Sequence, residues 1–505
     1  MYKKINRKNL LRVSAAFTVL LALGCSNEFL QDKKTDGLND ITAFSSDATA
    51  TAVVTGIYDA LQAESDGREY NTKSLYVPAN YPTLDFEDSG ADTQFSTFAV
   101  KSDDGRWSNL WVLNYRGIGR ANAAIAKLRP SIEAGKITKK LGERLLGESL
   151  FLRGFLYTSM AQNFGGLPIV TETTTDAFAP RSTQDETFAQ VVKDMEAAIP
   201  LLDWSYDADN KGRATKAAAY HYLGNAYMWM KQYDKAAVAF EALQGHVTLE
   251  SNFLAVHAAA NRNGKESLFE IQLSSAASDM GWGRNDNVTY LQSMCMPQEL
   301  SGWGGYINAT KKLYDSFETG DLRKFATVIG PGDEHPDPLM QIKDHPANVG
   351  INTCGTVAKP WLKQSNAGYF CVKTWRDPQL QGNNYGTIFG GQNQILARYG
   401  ESILSLSECY LQLGQGAKAA TNLNIIRNRA GLASKTTVTI TDILDEYRHE
   451  LAGEFTQWYL YRRSGHATEY MLLRHGKTVP AGRELMPLPK SQLDANPNLV
   501  QNPSY

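Results

Sequence analysis

Residues that could carry catalysis do not gather by spacing. The eight histidines are scattered, and the one suggestive run, His449-Glu450-Leu451-Ala452-Gly453, lacks the second histidine with which a metalloprotease helix binds zinc. Gly147-Glu148-Ser149-Leu150-Phe151 and Gly400-Glu401-Ser402-Ile403-Leu404 each miss the closing glycine of a nucleophile elbow, and both fall inside helical patterns. Asp207-Ala208-Asp209-Asn210-Lys211-Gly212 begins like a calcium loop. Lys211 occupies a ligand place, however, and no glutamate stands at the twelfth position, so a turn is the better reading. No phosphate loop or dinucleotide fingerprint is present. Carboxylate pairs for glycoside hydrolysis are set by a fold rather than by sequence distance, which leaves Asp85, Glu87, Asp88 and Asp92 as candidates in an acidic loop. A solvated acidic loop is the commoner meaning of such a run. The chain is read as a non-enzyme, with no cofactor and no metal site.

Composition narrows the class. The chain has 505 residues, 43% hydrophobic and 21% charged, which suits a folded protein and excludes a disordered or collagen-like one. Lys and Arg number 51 against 53 Asp and Glu, so the basic footprint of a nucleic-acid binder is missing. Lys3, Lys4, Arg7, Lys8 and Arg12 precede the apolar run Val13 to Gly24, which is shorter than the about 20 residues needed to span a bilayer but fits a signal peptide. The run ends Leu21-Ala22-Leu23-Gly24-Cys25 and is followed by polar Ser26-Asn27-Glu28, the pattern of a bacterial lipoprotein cleavage site. Residues 1–24 are therefore read as the leader, Cys25 as the lipid-bearing residue and 25–40 as a polar tether, because stable anchoring takes more than one acyl chain. Cleavage would remove five positive side chains and no negative one, taking the net charge from −2 to −7. Among the other cysteines, Cys295, Cys354, Cys371 and Cys409, there is no C-x-x-C spacing. Cys354 and Cys371 bracket a loop-like segment and could pair, while Cys409 suits a free buried thiol.

The elements that must position any site are mainly helical. Tyr220, Leu223, Gly224 and Tyr227, then Ala236, Phe240 and Leu243, match the helix-turn-helix spacing of a tetratricopeptide repeat, small residues included. A looser copy reads Ile403, Leu406, Ser407, Tyr410, then Ala419, Leu423 and Ile426. Stretches 46–63, 110–129, 139–164 and 185–202 carry apolar residues at intervals of three and four and predict further helices. From about 271 to 394 glycine, proline and aromatics replace that period, with strand-like fragments such as Tyr369 to Trp375. The expected organisation is a helical region at 41–270 and a second region at 271–505, loop-rich over 271–394, helical over 395–470 and ending in a tail over 471–505.

In this order the segments resemble the SusD/RagB family of Bacteroidetes outer-membrane lipoproteins. The resemblance opens with Cys25, Phe29-Leu30, Ile41-Thr42 and Ala52 to Leu61. It continues through Trp111, Tyr115, Ile118, Ala121 and Asn122, then Glu148 to Arg153 and Asn163-Phe164-Gly165-Gly166-Leu167-Pro168. Late matches are Arg398-Tyr399-Gly400-Glu401, Asn424 to Leu432 and Glu446 to Leu451, and the tail Met486-Pro487-Leu488-Pro489 with Asn496 to Pro503 is the most diagnostic. One departure is Gln457-Trp458-Tyr459-Leu460-Tyr461-Arg462-Arg463, where the family commonly shows Arg-Trp-x-Asp-Leu-Arg-Arg. Arg153, Arg427 and Arg429 are read as buried or interfacial ion-pairing residues.

The resemblance implies a mainly α, SusD-like fold. It also implies a surface-exposed binding protein, lipid-anchored to the outer membrane, that captures oligosaccharide or polysaccharide and acts with a SusC-like TonB-dependent transporter. Sugar C–H faces stack on exposed Trp and Tyr while amides, carboxylates and Arg bond the hydroxyls. The expected contacts are Trp282 and Arg284 in Gly281 to Asp286, Trp303 and Tyr306 in Gly302 to Tyr306, and Tyr290 and Asn308 nearby. Tyr81, Asp85 and Trp107 in the loop from Tyr76 to Trp107 complete the set. Trp361 and Trp375 are weaker, and Trp375 is expected to point inward. Peptide capture is the alternative within the family, and a surface glycosidase using Asp85 a remoter one.

Overall fold

The computed structural model of the chain describes residues 43–62, 71–88, 92–273, 289–300, 304–340, 356–358, 362, 365, 368–377 and 390–505. Among them no helix is long and apolar enough to cross a membrane.

Helices α1 (Asp47–Gln62), α2 (Asn71–Asn80), α3 (Gly105–Glu133), α4 (Lys139–Phe164) and α5 (Gln184–Ala198) build the N-terminal half. α4 is buried along almost its whole length from Leu145 onward, because α1, α3 and α5 pack around it. α5 starts at a capping box: Thr183 Oγ1 accepts from Glu186 N at 3.1 Å, and Glu186 Oε2 accepts from Thr183 N at 2.8 Å. Arg153 of α4 reaches Asp194 of α5 through two nitrogens, at 2.9 and 2.6 Å, and Asn122 of α3 at 2.8 Å. It is the buried ion-pairing residue expected.

The two repeat-like pairs follow as α6 (Lys216–Trp229) with α7 (Tyr233–Glu241), and α8 (Tyr399–Gln412) with α9 (Gly416–Arg429). Gly224 has a steric reason. A Cβ there would lie 2.7 Å from ring atoms of Phe240, so only hydrogen allows the two helices their approach. The pairs meet through α7 and α8, where the Tyr410 hydroxyl donates to Glu241.

Expected boundaries shift where polar and glycine-containing sequence still forms helix. α3 begins at Gly105 rather than near 110, and the stretch from Tyr76 is not all loop but begins inside α2. Helices α10 (Ile440–Leu451), α11 (Gln457–Ser464) and α12 (Ala467–His475) complete the scaffold.

Strands are few and antiparallel: β1 (Phe86–Asp88) with β3 (Ile307–Ala309), β2 (Ser267–Ile271) with β6 (Gln394–Arg398), and β4 (Val328–Ile329) with β5 (Phe370–Cys371). Tyr369 to Trp375 thus yields a strand of only two residues, although Trp375 is fully buried, as its alternation suggested. Cys371 is a free, buried thiol beside Gly453, with the free thiol of Cys295 near it around Tyr76 and that of Cys409 in α8, so Cys371 does not carry the disulfide considered for it. Cys354 and Trp361 lie outside the described residues.

A buried lattice of charge locks the second half. Arg398 makes two bonds to Glu454, at 2.7 and 2.8 Å, and also meets Glu266 at 2.9 Å and Glu450 at 2.5 Å. Arg429 bonds Glu266 and Glu450, Arg427 bonds Glu318 and Glu446, and Lys373 Nζ lies 2.7 Å from Glu454. Burial alone would raise the Glu450 carboxyl, but Arg429, Arg398 and Arg323 hold it well below its usual range. His449, its sequence neighbour, is buried and pushed far below the usual imidazole value. The His-Glu run is therefore packing, not a metal helix.

The tail is stapled back onto the N-terminal half. Met486 N donates to Asn163 O at 2.8 Å, and Asn502 Nδ2 donates to Phe164 O at 3.0 Å and to Met486 O at 2.7 Å. Gln501 brackets the Leu488 backbone, accepting from its N at 2.7 Å and donating to its O at 3.0 Å. The amide-rich motif of the tail is a set of backbone clamps.

Candidate functional site: a small sheet that roots the loops

Trp282, Arg284 and Trp303 lie outside the described residues. The other six expected contacts come from two segments far apart in sequence, and β1–β3 pairing joins them. Glu87 stands opposite Asn308 and Asp88 opposite Ile307, while Thr310 N donates to Asp85 O at 2.9 Å. β3 is bonded on its other side too, since Ala309 N donates to Tyr369 O at 3.1 Å. The Thr72 and Thr289 hydroxyls are 2.7 Å apart, and Thr289 bridges to Gly390. Asp88, which precedes residues 89–91, lies in this pairing, and Thr289 and Gly390, which follow residues 274–288 and 378–389, bridge to one another.

Proximity did not bring exposure. Tyr81, Asp85 and Asn308 have no accessible surface, Trp107 has 2% and Tyr290 5%. As ring platforms or hydroxyl ligands open to solvent these five are corrected, and only Tyr306 remains half-exposed. The reasons are local. Trp107 is wedged edge-on against Phe95, with ring centroids 4.4 Å apart. Asp85 is held by Arg448, at 2.9 Å from Nε and 2.5 Å from Nη2, and by Gln457 Nε2 at 2.7 Å. The acidic loop is not solvated either: Asp88 and Asp92 are buried, Asp92 pairing with Lys73 at 2.7 Å, and only Glu87 is half-exposed. Asp85 is thus committed to Arg448 and Gln457, with His475 Nε2 3.6 Å away, all of them buried.

Sequence reasoning missed the aromatics that the sheet does expose. Tyr314 and Tyr369, both half-buried, have centroids 5.0 Å apart, and Phe325, 47% exposed, lies 6.4 Å from Tyr314. Lys324 Nζ sits 3.7 Å over the Tyr314 ring. A Cβ on Gly330 would come within 2.5 Å of the Tyr369 ring, so that glycine seats the tyrosine. Their signal was hidden because Tyr314 belongs to a short helix, Lys311–Ser316, whose pattern reads as ordinary scaffold.

One catalytic-looking constellation exists elsewhere. Ser402 Oγ lies 2.8 Å from His221 Nδ1, and Glu401 Oε1 lies 3.6 Å from His221 Nε2. All three are buried, and Ser402 is inside α8. The nearby cavity of about 40 Å³ has the volume of a few waters, too small for a substrate. Burial lowers His221 to about 3 and raises Glu401 to about 7, so near neutral pH the imidazole is uncharged and the carboxyl about half protonated. Asp207 to Gly212 is the expected turn, Asp207 capping Asn210 N at 3.1 Å, and no cluster of three metal-ligating side chains occurs among the described residues.

A helical array with two repeat-like pairs, carrying a small sheet that joins two distant segments, defines a scaffold for binding. The chain belongs to the SusD/RagB family. Residues 28–228 match a family model described as starch-binding and associating with the outer membrane, and residues 265–505 match the SusD family model. A SusD-like protein, P2, of Formosa agariphila is 24% identical, covering 98% of this chain and 99% of its own. Surface glycan-binding protein A from Bacteroides uniformis superposes with a TM-score of 0.74 at 22% identity, covering 90% of this chain and 99% of its own. Surface glycan-binding protein A from Bacteroides thetaiotaomicron in complex with laminarihexaose gives a TM-score of 0.71 at 20% identity, with 90% and 99% covered.

Proposed function

We propose that the chain is a cell-surface lipoprotein, anchored through Cys25, that captures oligosaccharides and delivers them to a SusC-like TonB-dependent transporter. The observation that carries the reading is the β1–β3 pairing. It brings the segment of Tyr81 and Asp85 together with that of Asn308 and the half-exposed Tyr306, which stands three residues from Trp303 in sequence. Binding sites are placed on loops held by such scaffolds. Family membership and the laminarihexaose complex of a structural relative support a glycan as the ligand. In this reading Trp282, Trp303 and Tyr306 stack on sugar faces and Arg284 bonds hydroxyls, while Tyr81, Asp85, Trp107, Tyr290 and Asn308 support the base rather than touch ligand.

Isothermal titration with a glycan panel that includes laminarihexaose tests this. Trp303→Ala is expected to weaken binding about a hundredfold, the loss of a central aromatic anchor. Binding of peptides, with no glycan bound, would move the chain to the peptide-capturing alternative. Co-purification of a TonB-dependent transporter from membranes tests the partner.

A further inference from the structure

A wide cleft lies away from β1 and β3, where the end of α1, the turn after Asp207 and the end of β2 meet. It measures about 200 Å³, where one ordered water needs only about 10–15 Å³. Its floor is Tyr58, Leu61 and Ile271. Its walls are polar: Thr55, Gln62, Asp209, Lys211, Arg213 and Gln272.

Most of those walls are pre-positioned. The Gln272 amide is paired both ways with Asn263, at 2.8 and 2.9 Å, and its backbone oxygen accepts from Gln62 Nε2. Arg213 is fixed by Glu148 at 3.0 Å and Thr55 Oγ1 at 3.3 Å. The Tyr58 hydroxyl donates to Glu148 at 3.0 Å and accepts from Ala214 N at 2.9 Å. Gly212, with φ +92, lets the backbone pass where any Cβ would strike Gln272. Two exposed side chains at the rim remain: Asp209 and Lys211 have no side-chain hydrogen bond or ion pair among the described residues.

We propose that this cleft is a second carbohydrate subsite that takes a single neutral sugar ring. The inference rests on the glycan-binding reading above. The exposed Asp209 carboxylate accepts from ring hydroxyls and the Lys211 ammonium donates to them, the Gln62 amide and Arg213 guanidinium keep spare donors for directional bonds, and Leu61 and Ile271 meet the C–H face. Neutrality follows from the charges. Arg213 pairs with Glu148, and the remaining charged lining residues, Lys211 against Asp209 and Glu270, leave no positive excess to select an anionic ligand.

The test uses the full-length protein carrying Trp303→Ala, which disables the loop site, with glucose, galactose and mannose as probes in saturation-transfer NMR. Transfer to at least one hexose is expected, and Asp209→Ala with Lys211→Ala, or Thr55→Trp placed on the exposed face of α1, should reduce it at least fivefold. Absence of transfer to all three hexoses, or an equal signal in both cleft variants, overturns the subsite. Titration of laminarihexaose into the wild type and into Trp303→Ala reports separately on the loop site, so the two readings fail independently.

Discussion

Asp85 and Arg448, separated by 363 residues in sequence, meet at 2.5 Å in the interior, where Asp85 has no accessible surface and Arg448 has 4%. The pair ties the strand segment that roots the loops to helix α10. A carboxylate with the residue type of a sugar ligand is thus a strut between the base of the site and the scaffold.

Removing one partner would leave the other charge buried and uncompensated. Asp85→Ala is expected to destabilise the protein by about 3–5 kcal/mol, read as a lower midpoint in urea unfolding. Asp85→Leu combined with Arg448→Met should recover a large part of that loss. Equal stability of the single variant and the wild type would contradict the strut.

Tyr306 and Tyr290 should separate binding from folding. Tyr306→Ala, at a half-exposed position, is expected to weaken laminarihexaose binding with little change in melting temperature. Tyr290→Ala, at a 5% exposed position in the main core, is expected to cost about 3–5 kcal/mol and to affect binding only through folding. Calorimetry of both ligand binding and thermal unfolding gives the comparison.

Gly224 is predicted to reject side chains in proportion to size. Gly224→Val should destabilise by about 1–3 kcal/mol, the usual cost of overpacking, because its methyls must displace the Phe240 ring. Phe240→Leu in the same chain should relieve part of it, and a denaturant titration of the three variants decides.

Acid should weaken the fold from about pH 6.5 downward. Burial depresses His221 and His335 to about 3 and His257 and His475 to about 4. Between those values and the ordinary one near 6.5 the unfolded chain therefore binds more protons, and stability falls as pH falls, by up to about 1.4 kcal/mol per pH unit for each histidine. Glu401 acts oppositely. Raised to about 7, it contributes a loss of stability as pH rises from about 4.5 to 7. His221→Gln should flatten the acid limb and Glu401→Gln the opposing one, in unfolding curves recorded from pH 4 to 8.

The scaffold was legible because its signal is periodic. The spacing of Tyr220, Gly224, Tyr227 and Phe240 reports helix packing directly, and α4 and α5 fall almost where their apolar stripes end. The candidate site was legible only as a pair of segments. Residue type suggested Asp85 and Trp107 for contact with ligand, but exposure depends on what arrives from elsewhere in the chain. Arg448 and Gln457 cover Asp85, and Phe95 covers Trp107. Tyr314 and Tyr369 escaped notice for the converse reason, because a half-open ring and a packed one have the same local sequence signature.

The clamps made by Gln501 and Asn502 on Leu488 and Phe164 set an order of events. The central helix α4 emerges early in synthesis, and its terminal carbonyl at Phe164, held first by Arg181, gains its last bond from Asn502, 338 positions later. Removal of the last dozen residues is therefore expected to loosen the end of α4 as much as the tail itself, which makes the C-terminal end a poor place for an affinity handle.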